Sequence, residues 1–289
     1  MTFSAAAQAR FDLSGKTALV SGSSRGIGFA LASGLAEAGA HVILNGRDAA
    51  ALNAASDKIS AIGGTTSQLI FDVTDRQSVE DAINGFERYT GPIDILINNA
   101  GASMGLIRDN HLDELVSIDE LRPEIWDHFI NTNLSGAWYL TRAVIPRMKK
   151  KQWGRIINVT TSFFTMLRPM FHPYGPAKAA LEAMSAGHAV EFAKYGITVN
   201  VVVPGGPCDT PMVPAVTKIK RELLIPPEAM VAPSLWLCSE AADGVTGKRY
   251  VAAHWDTKKS ITEARAASEE EVAWQQLSGS PVWPGGKPD

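Results

Sequence analysis

Cysteine is scarce: the 289 residues hold only Cys208 and Cys238. Two thiols cannot by themselves make a disulfide framework or a structural zinc site. They read as buried or inert free thiols in a reducing compartment, which places the expected home of the chain in the cytoplasm. A basic excess is also lacking. Lys and Arg number 27 against 30 Asp and Glu, for a net charge of -3. Such a balance offers no field for nucleic acid and no polybasic patch for a membrane surface. No apolar run approaches the length of a membrane-spanning helix. Met1 to Phe11 contains alanines but no charged region ahead of a long apolar stretch, so no signal peptide is expected there. No metal site is expected.

What the sequence does contain is a regular alternation. Thr17 to Val20 is a predicted strand, followed by a Gly-rich turn and an Ala/Leu helix from about Gly26 to Ala38. Strands are predicted at His41 to Asn45, Ser67 to Asp72, Ile93 to Asn98, Arg155 to Thr160, Thr198 to Val203 and Lys248 to Ala252. Helices are predicted between them, at Ala49 to Ile62, Ser78 to Tyr89, roughly Arg122 to Lys150, Tyr174 to Lys194 and near Pro227 to Leu237. Most strands are near-continuous Val/Ile/Leu runs, such as Ile93-Asp94-Ile95-Leu96-Ile97, the pattern of strands buried on both faces. The alternation therefore predicts an α/β fold: a single-domain, Rossmann-type, doubly wound parallel sheet of about seven strands with helices on both faces. Residues 1–256 form the expected catalytic domain. Residues 257–289 read as a C-terminal extension that begins with an acidic helix, Ile261 to Leu277, and turns Gly/Pro-rich around Trp283.

The turn after the first strand reads Ser21-Gly22-Ser23-Ser24-Arg25-Gly26-Ile27-Gly28. Its spacing, G-x-x-x-G-x-G, departs from the G-x-G-x-x-G dinucleotide fingerprint, but the physics is shared. Glycines allow backbone to approach a pyrophosphate, and the following helix offers free amides and its positive dipole end. Gly22, Ser24, Arg25, Gly26, Ile27 and Gly28 are thus candidate cofactor contacts. The second strand ends in Asn45-Gly46-Arg47, without the acid that would hold a ribose 2′-hydroxyl. Arg47 and Arg25 together suit a 2′-phosphate, which favours NADP over NAD. Asp72 and Val73 are candidates beside the adenine, although Asp72 could equally cap the turn Asp72-Val73-Thr74-Asp75.

Tyr174-Gly175-Pro176-Ala177-Lys178 puts a phenol and an ammonium four residues apart on one helix face. A nearby cation favours phenolate and draws the Tyr pKa toward working pH. Such a Tyr can exchange a proton with a carbonyl or alcohol oxygen while hydride moves at a nicotinamide. Pro176 is harmless only near a helix start, which predicts that the helix begins close to Tyr174.

With the glycine turn, Asn98-Asn99-Ala100-Gly101 after the fourth strand and Pro204-Gly205 after the sixth, this pair resembles the short-chain dehydrogenase/reductase family. The resemblance covers about residues 11 to 252, with the motifs in the family's order. It implies Tyr174 as general acid/base, with Lys178 lowering its pKa and holding the nicotinamide ribose. It implies Asn133 as the helix-interrupting Asn of a water-mediated proton relay. Asn99, Ala100 and Gly101 would lie beside the adenosine ribose, and Pro204, Gly205 and Thr210 near the nicotinamide. It also implies a homodimer or homotetramer built on the helices at about 122–150 and 174–194.

Departures from the family pattern are informative. The catalytic hydroxyl, counted back thirteen residues from Tyr174, falls on Thr161, with Ser162 one place later as the alternate. The Pro204-Gly205-Gly206-Pro207 turn is one residue longer than usual, which blurs the match at Thr210. The stretch from Gly101 to Asn133 is about ten residues longer than usual, whereas Thr210 to Pro226, normally a helical lid, looks short. Either the insertion and the tail, from this or a neighbouring subunit, cover the substrate in its place, or the tail is solvated and without a role. Phe163 to Pro173 should rim the pocket, suiting an apolar or aromatic substrate portion or else serving packing or a subunit interface. Arg168 either faces an anionic substrate group or is solvated or paired, and His172 reads as structural or surface rather than as a group that polarises the substrate. The activity implied is reversible, NADP(H)-dependent interconversion of a small-molecule secondary alcohol and a ketone or aldehyde. The alternative is a catalytically silent dinucleotide-binding regulator.

Overall fold

A computed structural model describes residues 11–275 of the protein. The expectations for Met1 to Arg10, Leu277 and Trp283 lie outside them. The chain alternates β1 (Thr17–Val20), α1 (Gly26–Glu37), β2 (His41–Gly46), α2 (Ala49–Ser60), β3 (Thr65–Ile70), α3 (Arg76–Tyr89) and β4 (Ile95–Asn98). It continues through α4 (Pro123–Ile130), α5 (Gly136–Lys151), β5 (Gly154–Val159), α6 (Phe163–Leu167), α7 (Tyr174–Ala193) and β6 (Ile197–Val203). The last elements are α8 (Val231–Cys238), β7 (Lys248–Val251), α9 (Ile261–Ser268) and β8 (Glu269–Glu271).

One sheet runs in the order β3-β2-β1-β4-β5-β6-β7-β8. β1 to β7 are parallel. Alternate residues of each strand enter opposite cores, because successive strand side chains point to opposite faces. Val20, Leu44, Ile97 and Val159 meet α1, α2 and α8 on one face. Leu19, Ile43, Leu96 and Ile156 meet α3, α5 and α7 on the other. The strand order reverses between β1 and β4, and in such sheets ligands bind beyond the carboxyl ends of the strands at that crevice. The glycine turn, Asn99 and the exit of β5 all lie on that side.

The structure corrects the sequence reading in four places. First, the sheet has eight strands, not seven, because the expected acidic helix stops at Ser268. Glu269, Glu270 and Glu271 then pair antiparallel with Tyr250, Arg249 and Lys248. Lys248 and Glu271 form an ion pair, Arg249 Nε lies 3.1 Å from Glu270, and the Tyr250 hydroxyl donates to Glu269 at 2.6 Å. Opposite partners across a ladder turn the acidic run into a strand. Second, the helix read from periodicity as continuous over about 122–150 carries one π-helical turn, Asn131–Ser135, where the family resemblance places its helix-interrupting Asn133. The Asn133 side-chain amide donates to Phe129 O at 3.1 Å, taking a carbonyl the regular ladder would use. Third, β3 ends at Ile70, so Asp72 sits past the strand, where its carboxylate accepts from Thr74 N at 2.9 Å. Fourth, the segment before α8 starts as a 3-10 turn, Pro227–Met230.

Candidate active site

The glycine turn is held from within. Ser21 Oγ accepts from Asn99 N and Ala100 N at 3.0 Å each, and the Asn99 amide donates to Ser21 O and Gly22 O at 2.9 and 3.1 Å. Ser23 and Asn45 exchange hydrogen bonds between the turn and β2. Gly22 and Gly26 adopt positive φ of 64° and 58°. At Gly28 a Cβ would stand 2.2 Å from Gly22 O, so no larger residue fits where the turn closes on the helix. Arg25 precedes α1 with no side-chain cap, and the first turn of α1 carries no acid. The leading amides of α1 are therefore free to meet an anion. Ser24 lies in this turn, partly buried, and Ile27 packs on the core below it.

The two arginines differ. Arg25 is exposed and has no ion-pair partner among the described residues. Arg47 Nη1 lies 3.2 Å from Asp72 Oδ2. Burial by itself raises the Asp72 carboxyl, but hydrogen bonds from Thr74 and Arg47 bring it below its ordinary value. The carboxylate thus takes the turn-capping role that the sequence left open, with Val73 buried beside it against Gly136.

At the catalytic constellation, α7 starts at Tyr174, as Pro176 predicts. The Tyr174 ring packs edge-on against Phe171, with centroids 6.0 Å apart. Lys178 is buried and donates to Val159 O at 2.8 Å. Asn133 Oδ1 and Lys178 Nζ converge on Gly101, lying 2.7 and 3.7 Å from the point where a Cβ would be. Among the described residues Asn133 Oδ1 has no hydrogen-bond partner, a rare condition for a buried acceptor. The π turn is what aims it there.

The two candidate hydroxyls have different surroundings. The Thr161 side chain faces the Tyr174 phenol and acts to lower its pKa. Ser162 instead caps α6, accepting from Thr165 N at 3.1 Å and pairing with Thr165 Oγ1 at 2.8 Å. One electrostatic expectation is corrected. Burial, not the ammonium, dominates: it pushes the Tyr174 phenol up to about 12, against the opposing Thr161 hydrogen bond, and pulls Lys178 down to about 8. The lysine nitrogen lies 6.0 Å from the Tyr174 ring centroid, and both groups are removed from water.

Thr210 is brought to the glycine turn despite the longer loop before it, its methyl 3.2 Å from the Cβ position of Gly26. Pro204 O accepts from Ala253 N at 3.0 Å, and Gly205 bends the chain there at φ 105°. The segment from Thr210 to Pro226 contains no α-helix. The insertion packs against it, with Lys218 N donating to Asp113 at 3.1 Å and Ser103 to Met212 O at 3.3 Å. Met104, Val116, Phe129 and Phe171 form a satellite core under Tyr174. From the other side Trp274 of the tail meets Phe163, with ring centroids 5.5 Å apart. Arg168 lies over the Phe171 ring at 5.1 Å. His172 Nε2 is buried without a partner among the described residues. Both cysteines are free and buried, and burial pushes each thiol up to about 12.

Three features escaped the sequence reading: the Ser21 hub, the Asn98-Asn158-Ser185 hydrogen-bond chain under β4 and β5, and the Arg249–Glu182 pair. A polar residue inside an otherwise apolar strand is the signal that could have found the second, since a buried polar group must have partners.

Residues 16–220 match the family described as short chain dehydrogenase. The chain belongs to this family. It is 38% identical over 195 residues to a gluconate 5-dehydrogenase of Gluconobacter oxydans, covering 68% of this chain and 72% of that one. It is 33% identical over 256 residues to a D-beta-hydroxybutyrate dehydrogenase of Cupriavidus necator, covering 81% and 95%. Among solved structures, a gluconate 5-dehydrogenase from Burkholderia cenocepacia in complex with NADP and tartrate superposes with a TM-score of 0.74 at 31% identity, covering 85% of this chain and 96% of that one. This short-chain dehydrogenase is an oxidoreductase of CH–OH groups, and the alternative of a catalytically silent regulator falls. No helix among the described residues is long and apolar enough to cross a membrane.

Proposed function

We propose that the chain is an NADP(H)-dependent oxidoreductase that interconverts a secondary alcohol and a ketone on a small hydroxy acid. The observation that carries it is the meeting of Tyr174, Thr161, Lys178 and Asn133 beside the glycine turn.

The residues present fit the cofactor. A turn that admits no side chain at Gly28 leads into a helix with uncapped amides, suited to a pyrophosphate. Gly22, Ser24, Arg25, Gly26, Ile27 and Gly28 would hold it there. Arg25 and Arg47 would take the 2′-phosphate, Asp72 and Val73 would line the adenine, and Asn99, Ala100 and Gly101 the adenosine ribose. Lys178 and Tyr174 would hold the nicotinamide ribose, with Pro204, Gly205 and Thr210 at the carboxamide. When bound, NADP(H) supplies or accepts the hydride.

In the direction of reduction, Tyr174 donates its phenolic proton to the developing alkoxide while Thr161 donates a hydrogen bond to the same oxygen. A phenol pushed up to about 12 is protonated at neutral pH, so the proton to be donated is in place. Lys178 then returns a proton to the phenolate and is itself reprotonated from solvent through a water that the free acceptor of Asn133 would orient. The named relatives that act on gluconate and hydroxybutyrate support a carboxylate substrate, and Arg168 beside the Tyr174–Phe171 pair is the cation suited to it.

The insertion and the tail cover the pocket from two sides. Residues 1–256 serve as the catalytic domain and 257–289 as its extension. Trp126, Trp138 and Val190 expose apolar surface on α4, α5 and α7, which supports a homodimer or homotetramer through these helices. Free buried thiols support the cytoplasm. The test is NADPH absorbance with a panel of oxo acids and uncharged ketones. Turnover favouring oxo acids is expected; none with any carbonyl compound defeats the reading.

A further inference from the structure

One buried charge cluster takes no part in the proton chemistry. The side chains of Arg249 on β7 and Glu182 on α7 are 2% and 0% exposed. Arg249 Nη1 lies 3.0 Å from Glu182 Oε2, and its Nε lies 3.1 Å from Glu270 Oε2 on β8, which is 48% exposed. The remaining arm, Nη2, donates to the carbonyl oxygen of Thr161 at 2.8 Å. Glu182 is itself fully engaged, accepting from Thr160 Oγ1 at 2.6 Å and from Ala273 N at 3.3 Å. The guanidinium also lies 4.2 Å from the Phe163 ring centroid. One cation therefore ties the exit of β5 to α7, β7 and the tail.

A buried ion pair is a poor source of stability, because desolvation offsets most of the attraction. What a guanidinium does offer is a rigid planar fork that holds several acceptors in fixed directions. Here one of those acceptors is the peptide of Thr161, which lies past the end of β5. The orientation of that peptide sets where the Thr161 hydroxyl points. A hydroxyl meeting a reacting oxygen loses much of its effect when displaced by an ångström.

We propose that Arg249 is a positioning residue that clamps Thr161 through its carbonyl, and that β8 completes the clamp through Glu270. The tail strand then supports the reaction without touching a reacting atom. This rests on Thr161 being the hydroxyl that meets the substrate oxygen.

The test is a mutant cycle on the full-length chain, reading kcat, KM and NADPH affinity. Arg249→Met combined with Glu182→Gln keeps the buried site neutral and should lower kcat about 10- to 100-fold, with NADPH affinity unchanged. In a Thr161→Val background the same pair should cause no further loss, because coupled residues are not additive. Glu270→Gln leaves the core intact and should lower kcat about 2- to 5-fold, which keeps the test decisive if the double variant fails to fold. An equal loss in both backgrounds, or an unchanged kcat in Glu270→Gln, overturns the proposal. Should Thr161→Val alone leave kcat unchanged, the hydroxyl assignment fails and takes the proposal with it, a result visible before Arg249 is altered.

Discussion

Arg47 Nη1 stands 3.2 Å from Asp72 Oδ2, so one of the two guanidiniums suited to a 2′-phosphate already faces a carboxylate. The pair is mostly exposed on the arginine side and worth little in stability. Its effect is on cofactor choice. Asp72→Asn frees Arg47 and should raise the preference for NADPH over NADH about 2- to 5-fold, an adenine contact being common to both nucleotides. Arg25→Ala or Arg47→Ala should weaken NADPH about tenfold while leaving NADH nearly unchanged, the loss of one charge-assisted contact. Fluorescence titration with the two nucleotides measures both; equal losses for NADH would remove the arginines from the phosphate.

Thr161 and Ser162 are adjacent in sequence but have different partners. Thr161→Val should lower kcat about 100- to 1000-fold, the usual cost of one donor at a developing oxyanion. Ser162→Ala removes the α6 cap and should cost about 1 kcal/mol in stability, with kcat near the parent value. Steady-state kinetics and urea unfolding separate the two. A reversed pattern would hand the catalytic role to Ser162.

How much of this was legible beforehand differs by element. The Tyr174/Lys178 pair could be read because Pro176 fixes the helix start and the four-residue spacing fixes a shared face. β2, β5 and β6 could be read because strands covered on both sides are dominated by apolar residues on both faces. β8 could not. Glu269-Glu270-Glu271 continues a helical acidic pattern, and only Lys248, Arg249 and Tyr250, some twenty residues away, make a strand of it. Periodicity alone did not show the π turn, since the Asn133–Phe129 bond competes with a helix of otherwise ordinary propensity; the family resemblance is what marked Asn133 as interrupting it. The Tyr174 phenol was misjudged because an adjacent cation can be inferred from spacing, whereas burial cannot.

Lys178 sets a pH dependence. Its folded-state pKa near 8 lies below the ordinary value of 10.5. Below about 8 the group is protonated in both folded and unfolded chains. Between about 8 and 10.5 the unfolded chain binds more protons, so this group makes stability rise with pH across that window. Denaturant unfolding at several pH values should show a rise that Lys178→Met lacks. Ketone reduction should decline above about pH 8 as the relay loses its ammonium; a kcat flat to pH 10 would show that the proton does not pass through Lys178.

Arg168 should govern substrate charge. Arg168→Ala is expected to raise KM for oxo acids about tenfold and to leave KM for uncharged ketones within twofold. Identical changes for both classes would assign Arg168 to packing on Phe171.

The most direct measurement is single-turnover NADPH oxidation by the parent and by Tyr174→Phe, with NADPH affinity determined in parallel. Removal of one hydroxyl should abolish turnover, a loss of at least about 100-fold, while the nucleotide still binds. A Tyr174→Phe chain that reduces its ketone at the parent rate would contradict the assignment of proton transfer to this phenol.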